Sequence, residues 1–138
     1  MNAEEDRHLT NRGLLSVTGV VESVTGVLLL AIPAIMVQLL LGDASLNPGG
    51  VVACRIAGAA LVALGIACWR GEAGGARGAD RGLVGAILFY NIAVICVLIA
   101  GWIASGIAGI GFWPVILTHA VLGSWCLVAL VRPVPGVT

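Results

Sequence analysis

Each of four long apolar segments in this sequence contains one strongly polar residue, and these residues are the candidates for chemistry. They are Glu22, Arg55, Asn91 and His119. Counted from the segment ends that the flanking arginines place in the cytoplasm, at about 1.5 Å per helical residue, they lie roughly 14 to 21 Å deep. Charged groups at such depths in a membrane usually face a helix-bundle interior and pair with one another. The pattern therefore predicts one polar cluster inside the bundle.

The side chains of this cluster indicate which chemistry it can support. Glu22 and His119 can gain and lose protons. Arg55 can hold an anion, a lipid head group or the carbonyl of a quinone, so a quinone is a candidate cofactor. Tyr90, which precedes Asn91, can add a hydroxyl group from an adjacent helix face.

Haem ligation, metal binding and nucleophilic catalysis are not expected. His119 can ligate haem iron, but the second ligand of a bis-histidine site would be His8, which lies outside the apolar segments. Cys54 and Cys96 have similar depths and can pair if their helices touch, yet the sequence has no C-x-x-C motif. No hydrolase triad, phosphate loop or nucleotide fingerprint occurs. We therefore predict no catalytic residue and no metal site.

A purely structural role for the cluster is the main alternative. A Glu22–Arg55 ion pair, with Asn91 and His119 completing the hydrogen bonds, would fix the register of the helices. A second alternative is that Arg55 extends its long side chain to the membrane surface.

Glycines indicate the direction in which the two charged side chains point. Glu22 shares its helical face with Gly19 and Gly26, and Arg55 shares its face with Gly58. Small residues mark the places where membrane helices approach closely. Both charges are therefore predicted to point toward neighbouring helices.

The composition excludes an ordinary soluble domain. Of the 138 residues, 59% are hydrophobic and only 10% are charged, and the mean hydropathy is +1.08. A soluble domain carries about 25% charged residues, because its surface must face water. The sequence also lacks the basic block that binding to nucleic acid would need. The outer surface is therefore predicted to face lipid.

Segment lengths predict an all-α integral membrane protein, an antiparallel bundle of four transmembrane helices. A helix needs about 20 residues to cross the hydrocarbon core. The first apolar segment is longer than that and contains Pro33, which predicts a kink. The predicted spans are 14–32, with an extension over 34–41, then 50–69, 82–103 and 112–131, flanked by polar tails at 1–12 and 132–138.

The arginines predict that both chain ends lie in the cytoplasm. The six arginines outside the spans all flank the same ends of the helices, at positions 7, 12, 70, 77, 81 and 132. Positively charged loops remain on the cytoplasmic side of a membrane. The acidic start of the chain is unlike a signal peptide, so the first span is expected to be retained.

Four short stretches resemble the small four-span bacterial membrane proteins grouped as DoxX-like. They are GVVESVTGVLLLAIP and CRIAGAALVALGIACW in the first two spans, FYN in the third and TH in the fourth. The resemblance implies a four-helix bundle in the bacterial inner membrane. It also implies a subunit of the kind that serves quinone-linked sulfur oxidation, but no catalytic residue can be carried over.

The leading functional hypothesis is a non-enzymatic accessory subunit that binds a membrane-protein partner within the lipid bilayer. Small size and short loops favour it. One alternative is the binding or transport of a lipophilic ligand or a proton through the polar cluster. Another is a quinone-linked redox subunit.

Overall fold

The computed structural model describes the backbone of residues 3–42, 45–74 and 77–131, and side chains within 12–42, 45–71 and 81–131. These ranges form helices and no strands: α1 (Ala3–Ala31), α2 (Pro33–Leu41), α3 (Pro48–Gly74), α4 (Arg77–Ser105) and α5 (Phe112–Val131). Four segments are long and apolar enough to cross a membrane: Arg12–Ala31, Pro48–Gly71, Arg81–Ser105 and Phe112–Val131. The predicted all-α architecture with four spans is confirmed. The predicted C-terminal tail and the side chains of Arg7, His8 and Arg77 lie outside the described residues.

The first apolar segment is interrupted at Ile32, directly before the proline that predicts a kink. Ile32 has φ −133° and ψ 54°, outside the helical region, and Pro33 opens α2. Proline has no backbone N–H to continue the hydrogen-bond ladder of α1, and its fixed φ suits the first turn of a new helix. The 9-residue α2 ends at Leu41 and is capped by Gly42, whose φ of +86° is one that glycine adopts readily.

Side chains at two helix ends satisfy backbone groups that the helices leave unpaired. The backbone N–H of Gly50 donates to Asn47 Oδ1 at 2.7 Å, and Pro48 occupies the first helical position of α3. Arg81 is the first residue of the membrane span in α4, and its Nη2 donates to the carbonyl of Leu130 at 2.9 Å. This contact places a cation on the C-terminal turn of α5, where the helix dipole favours it.

Helices α1 and α3 pack closely because glycines face each other in an antiparallel register. A Cβ added to Gly26 would lie 2.6 Å from the carbonyl oxygen of Gly58, and one added to Gly58 would lie 2.7 Å from that of Gly26. Two turns away, a Cβ added to Gly65 would lie 2.8 Å from the carbonyl oxygen of Gly19. The two backbones therefore come into direct contact at these glycines.

The bundle consists of two close helix pairs, α1 with α3 and α4 with α5. Buried side chains form an apolar cluster between the pairs: Leu14, Leu15, Cys68, Val84, Ile87, Leu122, Cys126 and Ala129. All of them lie in the half of the bundle where the first span begins and the last span ends, which we call the terminal half. We call the opposite half the far half. There, the backbone N–H groups of Gly109 and Gly111 donate to the carbonyls of Leu40 and Leu39.

The outer surface of the spans is apolar. On α4, Phe89 and Ile103 are each 74% exposed. The other described helices also expose valine, leucine and isoleucine side chains. Only 17 to 33% of each span is buried inside the bundle. A surface of this composition is stable in hydrocarbon and not in water, so the chain is a multi-pass membrane protein.

Candidate functional site

Glu22 projects from α1 into the bundle, as the glycines on its face predict. It is 1% exposed. Tyr90 of α4 donates its hydroxyl hydrogen to Glu22 Oε2, with 3.2 Å between the oxygens. The other carboxyl oxygen, Oε1, is buried and has no hydrogen-bond partner among the described residues. The carboxyl group of α1 is therefore bonded to α4 through one oxygen, while its other oxygen has no hydrogen bond within the described part of the chain.

Asn91 and His119 join α4 to α5. The Asn91 amide nitrogen donates to the carbonyl of Ile87 at 2.7 Å, which leaves Asn91 Oδ1 as an acceptor. His119 Nδ1 lies 2.8 Å from that oxygen and must therefore carry the hydrogen of this bond. In a neutral imidazole the other ring nitrogen, Nε2, is then a proton acceptor.

Tyr90 connects the two hydrogen-bonded pairs. Its ring meets the ring of His119 edge to face, with 5.6 Å between the ring centroids. Four of the five predicted site residues are thus brought together as one polar site: Glu22, Tyr90, Asn91 and His119. Asn91 is fully buried and His119 is 8% exposed, so the site lies in the interior between the helix pairs.

Arg55 does not join this site, and the prediction that it points toward a neighbouring helix is wrong. Its side chain is exposed and does not pair with Glu22, the one carboxylate whose side chain the structure describes. The cause is the close approach of α1 and α3. Gly58, one turn along α3, touches the backbone of Gly26, which leaves no room for a guanidinium group beside it. The arginine lies at the edge of that face and turns outward.

Two hydroxyl groups near Glu22 are site candidates that the sequence reasoning did not select. Thr18 Oγ1 and Ser23 Oγ are buried, with no hydrogen-bond partner among the described residues. Thr18 is fully buried, one helical turn before Glu22 on the same face. That spacing is visible in the sequence, but threonine is common in membrane helices, where it usually bonds to its own backbone.

The four cysteines are free thiols, and Cys54 does not pair with Cys96. Cys68 and Cys126 belong to the apolar cluster of the terminal half, whereas Cys96 is exposed. Within the described ranges, no group of three or more histidine, cysteine or acidic residues is arranged to hold a metal ion.

The fold and the site together define a small multi-pass helical membrane protein with a buried polar site. No known family model matches the chain, and neither a curated protein nor a solved structure is significantly similar to it.

Proposed function

We propose that this chain is an accessory subunit of the bacterial inner membrane, with both termini in the cytoplasm, that binds a partner membrane protein through the outer face of α3. The observation that carries the proposal is Arg55, an exposed charge inside a membrane span without an ion-pair partner among the described residues. The DoxX-like resemblance supports the same role, because it implies subunits of larger membrane complexes.

The position of Arg55 makes a partner energetically useful. Arg55 is seven residues after Pro48, the first residue of α3, which is about 10 Å along the helix. An arginine near the membrane centre costs about 2.5–3.5 kcal/mol on insertion scales, and less where the side chain can reach the surface. A carboxylate on a neighbouring helix would offset this cost by accepting a bidentate, charge-assisted hydrogen bond from the guanidinium group of Arg55.

The rest of the outer face of α3 suits close contact with another helix. Six of its exposed positions are alanines: Ala53, Ala57, Ala59, Ala60, Ala63 and Ala67. Membrane helices associate through such faces because small residues let the backbones approach. The described outer face of α5 instead exposes mostly large side chains, including Leu117, Val121 and Leu127.

A second copy of this chain does not provide the missing carboxylate. Glu22 is the only acidic residue in the four spans, and it is 1% exposed and bonded to Tyr90. The expected partner is therefore a different protein, with a transmembrane helix that carries an aspartate or glutamate among small residues.

Photo-crosslinking in native membranes tests this proposal. A photoreactive amino acid is placed at Ala59, which is exposed one turn after Arg55 on the same face of α3, and at Val97 on the outer face of α4 as the matched control. We expect one dominant cross-link from position 59, to a helix with an intramembrane carboxylate, and loss of that cross-link in Arg55→Gln. Cross-links only to copies of this chain, equal cross-linking from both positions, or a cross-link that survives Arg55→Gln would overturn the proposal.

A further inference from the structure

The polar site inside the bundle is separate from the outer face of α3 and has a chemistry of its own. It contains Glu22 and His119, two side chains that exchange protons, and Tyr90 contacts both of them. A site that only fixed helix register would be expected to satisfy its polar atoms. Here Glu22 Oε1 and Thr18 Oγ1 are both buried without a partner among the described residues.

Both unpaired groups can accept a hydrogen bond. A carboxylate oxygen is an acceptor only, and a threonine hydroxyl can accept as well as donate. His119 Nε2 is an acceptor too, because Nδ1 carries the hydrogen that bonds to Asn91. A site with this set of hydrogen-bond acceptors is suited to binding a proton or a molecule that donates hydrogen bonds.

No positive side chain neutralises Glu22 within the part of the chain that the structure describes. The ionisable groups nearest to it are Tyr90 from α4 and Cys68 from α3, which is within electrostatic reach. From α5, His119 contacts Tyr90, and Cys126 packs in the same apolar cluster as Cys68. Helix α2 has no ionisable side chain. The described arginines at positions 12, 55, 70 and 81 are all exposed. A bare carboxylate enclosed in this way is costly, and a bound proton removes its charge.

We propose that Glu22 is a reversible proton-binding site in the membrane interior, which exchanges its proton with the far side of the membrane. In the uptake step the Glu22 carboxylate and a hydronium ion give a carboxylic acid and water, with the new O–H bond at Oε1. Tyr90 holds Oε2 and so positions the carboxyl group. His119, kept in one tautomer by Asn91, is a second acceptor beside the same tyrosine ring.

The direction of exchange follows from where the bundle is packed. The apolar cluster that includes Leu15, Cys68 and Ile87 fills the terminal half of the bundle, between Glu22 and that membrane surface. Water cannot cross such a cluster without losing all of its hydrogen bonds. None of the residues of this contiguous cluster lies in the far half, and the buried apolar residues there, Val37, Leu98 and Phe112, are not part of it. We therefore place the path to water on the far side of Glu22.

Infrared spectroscopy of the purified full-length protein tests the proposal directly. The probe is the carbonyl stretching band of a protonated carboxylic acid, followed from about pH 4 to pH 10 in mild detergent. We expect one band that titrates with pH, shifts on transfer to heavy water and disappears in Glu22→Gln. In Tyr90→Phe the band should persist at a higher frequency, because the carbonyl oxygen loses a hydrogen bond.

Controls separate this proposal from the partner surface on α3. The Arg55→Gln variant should keep the titrating band unchanged even if it loses its partner. In oriented proteoliposomes, a pH change on the far side alone should alter the band, and the same change on the terminal side should not. A Glu22-dependent band that does not respond to pH, or one that responds only from the terminal side, would overturn the proposal. Circular dichroism confirms that each variant is folded.

Discussion

Replacing Gly26 with alanine is expected to destabilise the bundle by about 1–3 kcal/mol, the usual cost of overfilling a tight interface. The added Cβ would lie 2.6 Å from the Gly58 carbonyl oxygen and 2.9 Å from the Val62 backbone nitrogen. Both neighbours are backbone atoms, which cannot rotate away. Because ordinary Cβ contacts begin at 3.4 Å, α1 and α3 must separate by about 0.8 Å. A gap of that size forfeits roughly a quarter to a half of the dispersion energy along the seam.

The assay is reversible unfolding in mixed micelles with an increasing fraction of SDS, followed by tryptophan fluorescence. Gly58→Ala should cost a similar amount, since its Cβ would lie 2.7 Å from the Gly26 carbonyl oxygen. One displacement of the helices relieves both clashes, so the double variant should lose less stability than the two single losses added together.

Gly85→Ala is the matched control, because a Cβ at Gly85 meets nothing within 4 Å. It should be neutral or stabilising by up to about 1 kcal/mol, the difference in helix propensity between glycine and alanine. If Gly26→Ala and Gly85→Ala differ by less than about 0.5 kcal/mol, the spread of ordinary surface substitutions, the close antiparallel packing of α1 on α3 is refuted.

Three other contacts predict changes in the free energy of unfolding, measured in the same assay, or in cysteine labelling, measured by mass spectrometry. Asn47→Ala should cost about 1 kcal/mol through loss of the N-cap of α3, while an aspartate there should restore most of it; an equal loss in both variants would contradict the capping role. A double-mutant cycle between Asn91 and His119 should give a coupling near 0.6 kcal/mol, the average for hydrogen bonds between membrane helices, and additive effects would mean that the bond is not formed. In detergent, a small maleimide should modify Cys96 well before Cys68, and the reverse order would place the wrong face of α4 outward.

The four spans could be predicted from the sequence because the bilayer sets both a minimum length and an apolar composition. The break before Pro33 could also be predicted, since proline has one fixed effect on a helix. The inward direction of Glu22 followed from Gly19 and Gly26, because glycines on the face of a membrane helix indicate where another backbone approaches.

The outward direction of Arg55 could not be predicted in the same way. Gly58 does mark the contact face of α3, but Arg55 lies at its edge, and only the register of α1 against α3 shows how little space remains there. Contact between Tyr90 and His119 likewise depends on how the two helix pairs meet. Apolar periodicity carries little information on that arrangement, because lipid-facing and bundle-facing residues are equally hydrophobic.

The pairing of α1 with α3 and of α4 with α5 has a consequence for biogenesis. The chain leaves the ribosome N-terminus first, so the hairpin containing α1 and α3 enters the bilayer before Tyr90 has been synthesised. Its glycine seam is complete at that stage, but Glu22 then has no phenol to bond to and faces lipid or the insertion machinery. Release into the membrane becomes more favourable when the second hairpin covers the carboxyl group. A chain that stops between the hairpins is therefore expected to carry an unshielded acid in its first span, which a complete chain does not.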